Sequence, residues 1–170
     1  MPIESRGRKP WLPPRWFIRV AWSAHRGLYR ATNGRVGLWR PRAGGWGALR
    51  LSTTGRRTGR TRSVILGYLE DDAHLVTLAM NGWGAGTPAW WLNLRADPEA
   101  TVITRDGRQR VIARVATGDE RARLWERWRR IDKNLDAYAA LRPSETPVVV
   151  LEPLTPGPDR TTLPGPPPSA

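Results

Sequence analysis

Chemistry-bearing residues crowd one short stretch of the chain. LSTTGRRTGRTRSV, residues 51 to 64, sets Thr53, Thr54, Gly55 and Gly59 among Arg56, Arg57, Arg60 and Arg62. Guanidinium forks bind carboxylate or phosphate oxygens in pairs, and turn amides beside glycines can point into an anion. The pattern reads as strand, tight turn, strand. Composition leaves two readings open here: an extended anionic ligand held at the turn, or a solvated basic hairpin. A second stretch, NGWGAGTPAWWLNL at 81 to 94, puts two adjacent tryptophans after a glycine-rich loop. Periodicity reads Trp90 as core packing, and the sharper alternative is a wall for a flat ligand.

The familiar catalytic sets are missing. The two histidines, His25 and His74, have no Ser/His/Asp motif around them, and His74 reads as a solvated turn residue after two aspartates. The absence of cysteine removes disulfides, thiolate nucleophiles and thiolate metal ligands together, so no metal site is expected. GRRTGR lacks the Gly-Lys-Ser/Thr ending of a P-loop and the G-x-G start of a dinucleotide fingerprint.

Charge is distributed unevenly. The chain holds 28 Lys/Arg against 15 Asp/Glu, a net of +13, but residues 1 to 62 hold 15 of those bases and the single acid Glu4. Such a block attracts anionic ligands or surfaces and says nothing by itself about fold. No apolar run approaches the roughly 18 residues of a membrane span, and Arg15 and Arg19 interrupt the only candidate signal-peptide core. The expectation is a cytoplasmic protein, with peripheral contact at the inner membrane face left open.

These residues need elements to position them. Residues 1 to 14 read as a disordered basic arm and 15 to 31 as an amphipathic helix with Arg15, Arg19, Arg26 and Arg30 along one stripe. That helix suits either an interfacial membrane anchor or an ordinary cover for one side of a sheet. Strand-like runs follow at 48–54, 63–70, 73–80, 100–105, 108–116 and 146–153, separated by turns at Asp71-Asp72 and Asp106-Gly107. Thr87 is expected to cap a short helix opening on Pro88. Thr117 and Glu120 have capping-box spacing ahead of a helix from about 118 to 141, broken near Lys133. The segment after 153 is a proline-rich tail, leaving 32–153 as the folded domain. The fold class is α+β, an antiparallel sheet or barrel of six or seven strands with flanking helices.

LSTTGRRTGRTR, NGWGAGTPAWWLNLRADPEATV, ATGDERARLW and YAALRPSETPVVVLEP, in that order, resemble the deazaflavin-dependent nitroreductase and quinone reductase family of actinobacteria. The family pattern runs T-T-G-R-x-[ST]-G-x-x-R, P-x-W-[YW]-L-N-L-x-A-[ND]-P, A-T-x-[ED]-E-R and P-V-V-x-L-x-P. The match covers roughly residues 20 to 153. It implies a split β-barrel of the flavin-binding type that holds coenzyme F420, a deazaflavin with a phosphate and a polyglutamate tail. By that resemblance Arg56, Arg57, Arg60 and Arg62, with Thr53, Thr54 and Gly55 beside them, receive the anions. Met80, Asn81 and Gly82 touch phosphate and deazaflavin, and Ala89, Trp90 and Trp91 stand beside the ring. Asn81 replaces a lysine common in relatives. Relatives that reduce bicyclic nitro compounds carry several tyrosines near the C-terminal helix, where this chain has Asp132, Leu135 and Tyr138.

The resemblance thus implies an oxidoreductase that passes hydride from reduced coenzyme F420 to a small electron acceptor, a quinone or related electron-poor compound, with Tyr138 as a candidate substrate contact. The assembly is a monomer or a homodimer, and no nucleic-acid partner is expected. Rival readings are a nucleic-acid-binding barrel, a non-catalytic membrane-surface or cofactor-carrying protein, and a barrel holding FMN or haem. Against the first, the strand runs carry Tyr68 as their one aromatic, too few for a stacking platform.

Overall fold

Short runs rich in Val, Ile, Leu and Thr favour strands because branched side chains pack well on a pleated surface. The computed structural model describes residues 37–81 and 86–154. It has six strands: β1 (Gly47–Thr54), β2 (Thr61–Asp71), β3 (His74–Leu78), β4 (Glu99–Thr104), β5 (Gly107–Val115) and β6 (Val148–Pro153). Every pairing is antiparallel in the order β1-β2-β3-β6-β5-β4, and β4 returns to β1 to close a barrel. The strands fall within two residues of the expected ends. The basic arm, the amphipathic helix, Gly82 and all of the tail beyond Leu154 lie outside the described residues.

The period-2 alternation of the strands divides the apolar residues into two cores. Leu49, Leu51, Val102, Val111, Val149 and Leu151 fill the barrel with Tyr68, the one strand aromatic, fully buried among them. Leu69, Val76, Val148 and Val150 face the other way, against Leu124, Trp128 and Leu135 of helices α2 (Gly118–Ile131) and α3 (Leu135–Ala140). Helix α1 (Ala89–Ala96) belongs to the interior core through Trp90, Trp91 and Leu94. The two indoles of α1 meet edge-on, with centroids 6.3 Å apart.

Both expected helix starts differ in detail. Pro88 is the capping residue of α1 and not its first helical residue; its carbonyl accepts the N–H groups of Trp91 and Leu92, and no side chain caps the end. Thr117 occupies the cap of α2 without a side-chain bond. Its expected partner Glu120 is engaged elsewhere, because Arg114 holds both its carboxylate oxygens, at 2.6 and 2.7 Å, while donating to Glu152 at 2.6 Å. A bidentate bond between two ionised groups outcompetes a single capping bond to a neutral backbone N–H, and the Glu120 and Glu152 carboxylates push the Arg114 guanidinium pKa upward. The break near Lys133 is as expected: α2 ends at Ile131, and Asp132 accepts the Asn134 N–H at 3.0 Å.

Asp71 fixes α2 to the β2–β3 hairpin. Arg123 donates to both its oxygens, at 2.7 and 2.8 Å, and Arg127 adds a third contact at 2.6 Å. The hydrogen-bonded Arg123 holds the Asp71 carboxyl below the usual carboxylate range, against the opposing effect of burial. Its neighbour Asp72 takes the left-handed conformation, φ +52°, that a two-residue hairpin turn requires.

Candidate functional site

The basic turn joins β1 to β2, whose ladder ends at the pair Thr54–Thr61. The Gly55 N–H donates to the Arg60 carbonyl at 2.9 Å, and the Gly59 N–H donates to the Gly55 carbonyl at 2.7 Å. Gly59 adopts φ +65°, open to glycine without strain, and a Cβ on Gly55 would lie 2.8 Å from the Arg60 carbonyl oxygen. The turn is therefore tight, and the two glycine amides expected to face an anion are used within it.

A cleft of about 430 Å³ lies between this turn and α1. Gly55, Arg56, Arg57 and Arg62 line one side, and Asn81, Ala89, Trp90 and Asn93 line the other. Thr53 supports the cleft from beneath, 2% exposed. Thr54 and Arg60 are exposed outside its lining, and Trp91 packs in the interior core. Trp90 serves both readings at once, since it is buried in the core and walls the cleft.

Among the described residues, no ion pair involves Arg56, Arg57, Arg60 or Arg62. The contrast with α2 is sharp, where Arg121, Arg123, Arg127, Arg129 and Arg130 all meet carboxylates. Unneutralised guanidiniums beside a cleft form a donor set suited to phosphate and carboxylate oxygens.

Asn93 is the residue that sequence reasoning missed. It is 5% exposed, its amide nitrogen donates to Thr53 Oγ1 at 3.1 Å, and its Oδ1 accepts from the Arg56 N–H at 3.2 Å and Arg56 Nη1 at 3.4 Å. One side chain thus ties α1 to the strand end and to the first arginine of the turn. The available signal was an amide in an otherwise apolar helical run, AWWLNL, four residues after Ala89.

A second pocket of about 270 Å³ lies outside the barrel, between β2, the end of β3 and the helices α2 and α3. Its lining is mostly apolar and includes Trp46, Ile65, Leu78, Met80, Trp128 and Leu135. Val64 and Asn81 line the cleft while their chain neighbours Ile65 and Met80 line this pocket, so β2 and the residues after β3 contribute to both. Met80, expected beside Asn81 at one site, belongs to the apolar side of that division. Tyr138 sits half-buried on α3, three residues beyond Leu135, and is not part of either lining.

Comparison with known proteins shows the family of the chain. Residues 22–153 match the family model described as F420H(2)-dependent quinone reductase. An F420H(2)-dependent quinone reductase of Mycobacterium tuberculosis strain H37Rv is 38% identical over 105 residues, covering 60% of this chain and 68% of that protein. The solved F420-H2 dependent reductase FDR-A superposes with a TM-score of 0.56 at 25% identity, over 62% of this chain and 93% of the other. A further structure, a domain-swapped dimer, gives 0.60 at 25% identity over 82% of this chain and all of the other. Fold and relatives together define a split-barrel oxidoreductase that uses coenzyme F420 as hydride donor. The chain belongs to the F420H(2)-dependent quinone reductase family.

Proposed function

We propose that this protein reduces quinones, with electron-poor nitro compounds as a secondary acceptor class. The observation that carries the reading is the presence of two cavities of opposite character to which β2 contributes neighbouring residues. One presents Arg56, Arg57 and Arg62 without carboxylate partners, and the other is a mostly apolar slot flanked by Trp46 and Trp128. The donor set fits the cofactor: the arginines would take its phosphate and glutamate carboxylates, with Arg60 reaching the outer part of the tail, and the ring would lie toward Met80 and the slot. Thr53, Thr54 and Gly55 shape the turn, Gly82 follows Asn81 in sequence, and Ala89 and Trp90 form the helix start against which the cofactor would rest, with Trp91 packed behind them in the core.

Bound in reduced form, coenzyme F420 supplies a hydride, and with one further proton a quinone becomes a hydroquinone. The protein's own part is positioning and dehydration. The arginines fix the anionic end, Asn93 holds Arg56, and Leu78, Trp128 and Leu135 keep water from the slot. Tyr138, outside the lining of the slot, would contact only an acceptor that extends beyond it along α3. The basic segment 15–31 supports a place at the inner membrane face, where quinones are dissolved. Among the described residues, no helix is long and apolar enough to cross a membrane. Deleting residues 1–31 without loss of liposome binding would count against that placement.

The test is a titration of purified protein with oxidised coenzyme F420, FMN and haem, followed by a quinone panel added to the complex with reduced coenzyme F420. Selective deazaflavin binding and quinone-dependent reoxidation are expected. Binding without reoxidation makes the protein a carrier, and absence of binding refutes the reading.

A further inference from the structure

The apolar pocket contains one ionisable side chain among its lining residues, Asp132. It is half-buried where α2 ends, and one carboxylate oxygen accepts the Asn134 N–H at 3.0 Å. No ion pair among the described residues includes it. The cations nearest in sequence are committed or turned to solvent. Arg129 pairs with Glu126 at 3.1 Å and Asp136 at 3.5 Å, Arg130 pairs with Glu126 at 3.5 Å, and Lys133 is exposed. Arg42, across from this helix, lines a neighbouring groove with Trp46 and Ile131 and is absent from the pocket itself. The one hydroxyl among the lining residues, that of Thr77, donates to the Gly67 carbonyl at 2.8 Å. A slot otherwise built for neutral planar rings therefore holds a carboxylate without a partner cation.

We propose that Asp132 sets the charge selectivity of the acceptor pocket, admitting neutral quinones and rejecting quinones that carry an acidic substituent. The proposal rests on the apolar pocket being the acceptor site. Between low-dielectric walls a like charge is repelled far more strongly than in water, so a single carboxylate acts by excluding the wrong acceptor while adding nothing for the right one. Asp132 is a specificity-determining residue in this account and takes no part in hydride transfer. The arginine cleft attracts anions in general, so a carboxylate at the acceptor pocket keeps small anions directed to the cofactor end.

The probes are menadione and a sulfonated naphthoquinone of the same ring size, tested on the full chain in two ways. Equilibrium binding is read by quenching of tryptophan fluorescence, and turnover is read with reduced coenzyme F420. Wild type is expected to favour menadione over the sulfonate by about tenfold or more at low salt, a preference that shrinks as salt is added. Asp132→Asn keeps an oxygen for the Asn134 N–H and removes the charge. It should raise sulfonate affinity about tenfold while menadione changes by less than about twofold and the melting temperature stays put. An unchanged menadione-to-sulfonate ratio in the variant overturns the proposal, as does absence of binding of either quinone. Charge-selective binding relieved by Asp132→Asn, with no turnover of any quinone, sustains the selectivity and sinks the reductase reading instead.

Discussion

Truncating Asn93 to alanine should damage stability and cofactor affinity together. The side chain is 5% exposed and makes three contacts, to Thr53 Oγ1 at 3.1 Å, to the Arg56 N–H at 3.2 Å and to Arg56 Nη1 at 3.4 Å. The last is long and partly exposed, so two bonds carry the energy. Each is worth about 1 kcal/mol net, and the buried Thr53 hydroxyl left without its donor adds about 1 kcal/mol more, for a total of about 3 kcal/mol. In a chain of this size that lowers Tm by about 10 °C. Arg56, no longer held, should also bind the anionic cofactor about tenfold more weakly. Asn93→Asp separates the two effects. It keeps an acceptor for Arg56 and makes it charged, so Tm should hold within about 3 °C, but the neutralised guanidinium should lose anion affinity as severely as in the alanine variant. The assays are thermal unfolding and fluorescence titration with coenzyme F420. If Asn93→Ala leaves Tm and Kd both unchanged, the clamp between α1 and the basic turn does not exist as described.

Three further outcomes are expected. Asp71→Asn removes the anchor for Arg123 and Arg127 and should lower Tm at neutral pH. Because the native carboxyl titrates below its ordinary value near 3.9, the stabilisation is complete above that value and fades as pH falls through the lower native one. The two melting curves should therefore differ above about pH 5 and converge only once the pH has fallen below the lowered native value. Tyr68→Phe should be neutral or stabilising by up to about 1 kcal/mol, since the buried hydroxyl has no hydrogen-bond partner among the described residues and burial pushes its pKa up to about 12; denaturant unfolding with a loss of about 2 kcal/mol would contradict this. Asn81→Lys adds a cation to the cleft lining and should tighten cofactor binding several-fold in low salt, with a steeper salt dependence of Kd; equal affinity in a titration series would mean the position faces away from the anion.

Much of this protein is written locally in its sequence. Alternating Val, Ile and Leu with intervening Asp-Asp and Asp-Gly turns determined the strands and their antiparallel hairpins, since side-chain period and turn chemistry act over a few residues. The break between α2 and α3 was legible for the same reason, as was the concentration of arginines at one turn. Only the tertiary structure decided what those arginines do. Closure of β4 onto β1 brings together segments about 50 residues apart and lets α1 take its place in the barrel's core, so Arg56, Arg57 and Arg62 face a cleft while Arg60 does not. Glycine amides that seemed available turned out to close the turn, and Glu120 left its expected cap for Arg114. Asn93 and Asp132 owe their surroundings to neighbours distant in sequence, and no local pattern announces such neighbours. A polar side chain on a helix acquires its meaning from what the closed barrel places against it.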